Sequence, residues 1–210
     1  MLQPLPYDIA EAESHLRGAD PRLAALIDEI GPGAKGFGIR AMETVPALVR
    51  AITYQQLSTK AAGTIHGRLL DLFGGEPTPE AILRQPDEAL RACGLSRAKT
   101  AAVQDLAQKS LDGTVQDIAG LAALEDDEVI RRLVEVRGIG VWTARMFLLF
   151  TLGRPDVWAP GDLGLREGLR VMTGAEERPT PKAFEAAGEP FRPWRSVACW
   201  YLWRATELGR

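Results

Sequence analysis

A chain of 210 residues with 46% hydrophobic and 25% charged side chains holds enough apolar material for one large domain or two small ones. Its formal net charge of −3 argues weakly against nucleic acid as a partner. No apolar run reaches the roughly 18 residues that would span a bilayer, which excludes a membrane-spanning helix. The opening MLQPLPYDIAEAE has neither the basic start nor the apolar stretch of a secretory signal, so a cytoplasmic protein is expected.

The charge is unevenly spread. Residues 1–30 carry six acids against two arginines, whereas residues 91–110 carry Arg91, Arg97, Lys99 and Lys109 against Asp105 alone. A basic face is therefore compatible with an acidic total. The only cysteines, Cys93 and Cys199, lie far apart with no paired cysteine or histidine nearby. That excludes a cysteine-ligated zinc or iron–sulfur centre built from this chain alone, and both are expected as small buried residues.

In chain order, helix signals dominate. Asp20-Pro21 sets a cap and a first-turn proline before LAALIDEI, and Gly31 ends that helix. Thr44 is expected to cap VPALVRAITYQQ, and Ser58 to cap TKAAGTIHGRLLDLF, which stops at Gly74-Gly75. Thr78-Pro79 and Pro86-Asp87 open two short helices, the second ending at Gly94. Ser96 precedes RAKTAAVQDLAQKSL, whose apolar residues recur at helical spacing. Asp126 is expected to cap DEVIRRLVEV, with acids in the first turn where the macrodipole favours them. VWTARMFLLFTL, apolar on most faces, reads as a central helix. Two more helices are expected near 163–172 and 194–207, the last amphipathic with Trp194, Trp200 and Trp203 on it. Only PDVWAP, around Val157, hints at a strand. The fold class is all-α, with about ten short helices; Gly and Pro cluster at residues 153–162 as a natural boundary.

Two segments bear on chemistry. In LVEVRGIGVWTARMFLLF the glycines of a tight hairpin would leave the amides around Gly138, Ile139 and Gly140 facing outward at a helix N-terminus. Backbone donors at the positive end of a helix dipole suit a phosphate oxygen, though for a lone G-x-G a simple tight turn between core helices is the better reading. In VWAPGDLGLREGL, Asp162 stands directly before a helix, where a plain N-cap is the simplest reading.

Together these segments resemble the helix-hairpin-helix DNA glycosylase superfamily, and within it the DNA-3-methyladenine glycosylase II branch in a short form without the N-terminal β domain. The likeness covers roughly residues 45–207. It rests on ITYQQLSTKAA, GLSRAKTAAVQDLA, VRGIGVWTA, GRPDVWAPGDLGLR and RPWRSVACWYLWR, in that order. The resemblance implies two helical subdomains flanking a DNA-binding cleft, residues 45–155 with the hairpin and residues 1–44 plus 156–210 with the aspartate. It implies Asp162 as the catalytic carboxylate and Gly138, Ile139 and Gly140 as the phosphate-binding hairpin, whose carbonyls can also hold a monovalent cation. Trp142 and Trp203 match aromatic positions of the base pocket; Met146 stands where the branch often has an aromatic, and Gln55 borders the same cleft. Gln56 falls at the side chain that plugs the gap left by a flipped base. Arg137, where a proline is common, and Arg195 in the basic C-terminal stretch are expected phosphate contacts.

Absences matter as well. Bifunctional relatives carry a lysine just past the hairpin; here that position is Trp142, so no Schiff base and no strand cleavage are expected. No metal or nucleotide cofactor is implied for the chemistry. The expected partner of the chain, a monomer, is double-stranded DNA carrying alkylated bases. Two alternatives remain at this stage: a non-catalytic hairpin protein that only binds DNA, and a glycosylase for oxidised or mismatched bases. His66, with no second histidine at ligand spacing, is expected to be structural, and His15 to be a surface residue.

Overall fold

A computed structural model of the protein describes residues 2–208. Along the chain run β1 (Leu2–Gln3), α1 (Ile9–Ala19), α2 (Pro21–Ile30), β2 (Ile39–Arg40), α3 (Thr44–Tyr54), α4 (Thr59–Phe73), α5 (Pro79–Leu83), α6 (Asp87–Ala92) and α7 (Arg97–Leu111). Then follow α8 (Ile118–Ala122), α9 (Asp126–Val134), α10 (Val141–Phe150), α11 (Leu163–Thr173), α12 (Pro181–Ala187) and α13 (Arg195–Ala205), with single 3-10 turns at Glu189–Phe191 and Thr206–Leu208. The all-α expectation holds. PDVWAP is not a strand; the one ladder among the described residues pairs Leu2 with Arg40 and Gln3 with Ile39, antiparallel. Pairs this short leave no alternation for a sequence pattern to show. No helix among the described residues is long and apolar enough to cross a membrane.

Two compact units emerge. One is discontinuous, Met1–Ala41 with Leu148–Arg210; the other, Met42–Phe147, is inserted within it. The second division falls inside α10, so the loop at 153–162 lies wholly in the discontinuous unit.

In the discontinuous unit, Asp8 caps α1 by accepting from the Ala10 amide at 2.8 Å, and Asp20 caps α2 through Arg22 N. Each such cap is worth about 1 kcal/mol. Leu16, Leu23, Ile27, Leu165, Tyr201 and Leu202 are fully buried in its core, each contributing about 1.5–3 kcal/mol if wholly removed from water. Helices α11 and α13 pack so closely that a Cβ on Gly168 would lie 1.9 Å from the Leu202 carbonyl oxygen, so glycine is required there. Nine of the eleven residues of α13 are buried. The helix is thus central rather than amphipathic, and Trp194 precedes it at the cap position. Glu13, although a carboxylate, is buried: it accepts from the Gly33 amide at 2.6 Å and from the Tyr201 hydroxyl. Burial, and then the bond to Glu13, raise the Tyr201 phenol above its ordinary range.

In the inserted unit, α7 packs against α3, α5 and α6, around a core of Leu48, Val49, Ile52, Val103, Leu106 and Leu133. Ser58 and Ser96 cap α4 and α7 as expected, and Gly74 closes α4 in the left-handed region at φ 69°. Two expected caps are displaced by one residue. Thr44 is the first residue of α3, preceded by Glu43 without a side-chain bond, and Asp126 is the first residue of α9 after Glu125. In each case the good capping side chain is drawn into the first turn, where Thr44 is buried and its hydroxyl finds no partner. Cys93 and Cys199 are both buried free thiols. His66 lies edge-on to Tyr54 with its ring centroid 6.3 Å away, and its buried Nε2 has no hydrogen-bond partner. Burial, and then Arg50, lower its pKa, which fits a structural neutral histidine. His15 is exposed.

Candidate active site and nucleic-acid interface

The loop before Asp162 is pinned from below by the start of α13. Ser196 donates its hydroxyl to the Arg154 carbonyl at 2.6 Å and accepts from the Val157 amide at 3.0 Å. Arg195 donates from Nε to Asp156 Oδ1 at 2.6 Å and from Nη2 to Oδ2 at 3.0 Å, while Arg192 reaches the same carboxylate at 2.6 Å. Trp158 stacks on Phe184 with centroids 4.2 Å apart and gives its indole N–H to the Phe184 carbonyl. Arg195 is 7% exposed and committed to Asp156. The phosphate contact expected of Arg195 thus meets a different observation: its charge is paired with Asp156 and fastens the loop.

Asp162 follows at the cap of α11. Its Oδ1 accepts from the Leu165 amide at 2.8 Å and from the Trp203 indole N–H at 3.2 Å, and the residue is only 8% exposed. The plain cap reading is therefore correct, and insufficient. A capping aspartate has no need of a buried setting or a tryptophan donor. Trp203 is half-buried and stacks on Phe150 at 5.7 Å and 24°. A Cβ on Gly164 would stand 3.2 Å from both Asp162 Oδ1 and Trp203 Cδ1, so this glycine keeps the indole–carboxylate contact clear. Leu163, next to the carboxylate, is 60% exposed, an apolar surface that sequence reasoning passed over.

The hairpin belongs to the inserted unit. Val136 and Ile139 are buried and anchor it, while Arg137, Gly138 and Gly140 are exposed. Gly138 has φ 76°, which a side chain rarely adopts, and a Cβ there would sit 3.4 Å from Ala102. The Ile139 amide donates to the Val136 carbonyl at 3.0 Å. It closes the turn and does not face outward, contrary to expectation. Where α10 begins, the Ala144 amide donates to the Gly140 carbonyl at 3.0 Å, so the last residue of the hairpin supplies an acceptor for the helix's opening turn. Arg137 gives its amide to Asp105 Oδ2 at 2.7 Å and presents its side chain to solvent. Trp142, in the first turn of α10, is 48% exposed, and Met146 follows one turn later, half-buried.

Gln55 ends α3 and donates from Nε2 to the Gly138 carbonyl at 3.0 Å, so it ties a neighbouring turn to the hairpin. Gln56 is exposed, with φ 56°. Lys99, on α7, donates to the carbonyls of Thr53 at 2.8 Å and Gln55 at 2.7 Å. Neither Lys99 nor Asp105 stood out in the sequence, where they read as members of a charged stretch. For a monovalent cation, Val136 O and Gly138 O each accept one hydrogen bond and keep a second lone pair. Carbonyl oxygens are the donor type a hard cation takes, and no cluster of metal-ligating side chains occurs among the described residues.

The buried, donor-held Asp162 carboxylate at a helix N-terminus and the exposed glycine hairpin before α10 are the two features on which the resemblance to base-excision glycosylases rests. The chain belongs to the family described as HhH-GPD superfamily base excision DNA repair protein, matched over residues 49–193. It is 34% identical to DNA-3-methyladenine glycosylase 1 of Schizosaccharomyces pombe over 96% of this chain and 89% of that one. A solved structure of a 3-methyladenine DNA glycosylase from the same yeast, in complex with abasic DNA, superposes with a TM-score of 0.83 over 95% of this chain and 98% of that one, at 34% identity. The Bacillus halodurans DNA-3-methyladenine glycosidase superposes with a TM-score of 0.84 over 92% and 88%, at 35% identity.

Proposed function

We propose that this protein is a monofunctional DNA glycosylase that acts as a monomer on double-stranded DNA and hydrolyses the N-glycosidic bond of alkylated bases. The observation that carries the reading is the Asp162 carboxylate, buried, capped by Leu165 N and bonded to Trp203 Nε1. A base inside the stack is out of reach, so it is flipped out at a cost of a few kcal/mol, less where damage has weakened its pairing. Gln56 fills the space left behind. The exposed hairpin residues Gly138 and Gly140 and the exposed Arg137 hold the backbone.

Alkylation at a ring nitrogen leaves the base cationic and already a good leaving group. An aromatic face such as that of Trp203, or separately that of Trp142, attracts such a cation by about 0.5–2 kcal/mol. As the glycosidic bond breaks, the electron pair leaves with the base and positive charge develops on the sugar. Asp162 stabilises that charge and takes the proton of the attacking water. The bond to Trp203 fixes the carboxylate's rotamer before the substrate arrives. A monovalent cation at the hairpin carbonyls would add positive charge beside the phosphate. No amine stands at the Trp142 position, so the abasic product keeps its strand intact.

The test is base release from duplexes that each carry one defined lesion, scored for free base and for strand breaks. Release of a cationic alkylpurine with unbroken strands is the expected result. Release confined to an oxidised base, or strand cleavage trapped by borohydride as a covalent adduct, would overturn the assignment.

A further inference from the structure

The turn that carries Gln56 is fastened from a different helix. The carbonyls that end a helix have no partner within it, and here Thr53 O and Gln55 O converge on one ammonium, Lys99 Nζ, at 2.8 and 2.7 Å. Lys99 is half-buried, and burial lowers its pKa. A cation is favoured at this pole of the helix dipole. The next residue, Gln56, has φ 56°. A residue with a Cβ pays about 1–2 kcal/mol for that conformation, so the surrounding structure has to hold it. The Gln55 side chain, bonded to Gly138 O, supplies a second tie.

The same face of α7 serves the hairpin. Lys99, Ala102 and Asp105 follow one another at three-residue steps along α7. Ala102 is the nearest neighbour of the open side of Gly138, and Asp105 accepts from Arg137 N at 2.7 Å. One helix face thus fixes both DNA-reading turns of the inserted unit.

We propose that Lys99 is a positioning residue for the Gln56 plug: by holding the two carbonyls it keeps Gln56 in its left-handed conformation at a set distance from the hairpin. The proposal rests on the reading of Gln56 as the plug. A lysine that merely capped α3 would affect stability alone; a positioning lysine affects recognition of a gapped stack.

The measurement compares the full-length protein's affinity for a duplex containing a tetrahydrofuran abasic site with its affinity for the undamaged duplex, by fluorescence anisotropy, with melting temperatures taken alongside. Lys99→Met, which keeps the aliphatic stem, should lower the preference for the abasic duplex about tenfold, the scale of a lost charged hydrogen bond. Affinity for undamaged duplex should stay within about twofold, and in a Gln56→Ala background Lys99→Met should change the preference by less than about twofold, because the two act through one element. Lys99→Arg should recover part of the loss. If Lys99→Met does not fold, Lys99→Gln, which retains one donor group, carries the same comparison. Gln56→Ala with an undiminished preference would bring down the plug reading itself. A Gln56→Ala loss with no Lys99 effect, or with effects that simply add, would overturn the positioning role alone.

Discussion

The two units solve opposite problems. In the discontinuous unit the proposed chemistry rests on one buried side chain, Asp162, locked by a backbone amide and an indole. In the inserted unit the proposed recognition surface is an exposed glycine hairpin, and the side chains of Gln55, Lys99 and Asp105 hold the backbone of that hairpin and of the turn beside it. A reacting sugar cation needs one charge at one place, out of competing water. A phosphate needs several donors and tolerates solvent. The difference predicts that conservative side-chain changes are severe in the first unit and mild in the second.

The largest expected effect is at Asp162. Asn still caps a helix, so Asp162→Asn should melt within a few degrees of wild type, while single-turnover base release falls by two or more powers of ten, at least about 2.7 kcal/mol of transition-state stabilisation. A mutant with wild-type turnover would remove the catalytic role and with it the contrast between the units. Gly168→Ala is next. A Cβ 1.9 Å from the Leu202 carbonyl forces α11 and α13 apart, and overpacking of this kind costs about 1–3 kcal/mol. The denaturation midpoint should drop accordingly, and an unchanged midpoint would mean the helix pair adjusts freely.

Trp203→Phe sharpens the comparison further. The ring that stacks on Phe150 survives, but the donor to Asp162 is lost. The rate of base release should fall about tenfold, the scale of one hydrogen bond to a charged group. No change would mean that packing alone sets the carboxylate. For the hairpin, a contact with about four phosphates gives a slope of log K against log salt near −3.6, and Arg137→Ala should make it shallower by about 0.9. A slope near zero in the wild type would mean that the hairpin does not meet DNA.

The smallest expected effect is at His66. Its pKa is lowered from the ordinary 6.5 by burial first and by Arg50 second. The unfolded chain therefore takes up a proton before the folded one does, so stability falls as pH drops below 6.5 and through the folded value. His66→Phe should flatten that loss in thermal melts between pH 7 and about pH 5. Equal slopes for mutant and wild type would show that the ring is protonated in place.

What the sequence disclosed was local. Asp20-Pro21, Ser58, Ser96 and the Gly138-Ile139-Gly140 turn were readable because a cap or a glycine acts on the residues beside it. Partners distant along the chain were hidden. Arg195 looked like a phosphate contact because a charge does not announce its counter-ion, and Asp156 lies 39 residues away. Lys99 was one basic residue among four, since nothing in RAKT tells that its amine meets carbonyls 44 and 46 positions earlier. The aromatic C-terminal helix was taken for amphipathic because three tryptophans stood out. Its nearly complete burial follows from α1, α2 and α11 all packing on it, which only the assembled unit shows.

The insertion of one unit into the other has a consequence for synthesis. Residues 2–41 leave the ribosome before the inserted unit, yet Leu16, Leu23 and Ile27 are buried in the same core as Tyr201 and Leu202. At ordinary translation speeds that delay is on the order of ten to thirty seconds. The inserted unit, contiguous from Met42 to Phe147, is complete well before then. The nascent protein thus holds a finished hairpin while the helices of residues 9–30 still wait for their core, and Asp162 gains its indole partner only when α13 arrives.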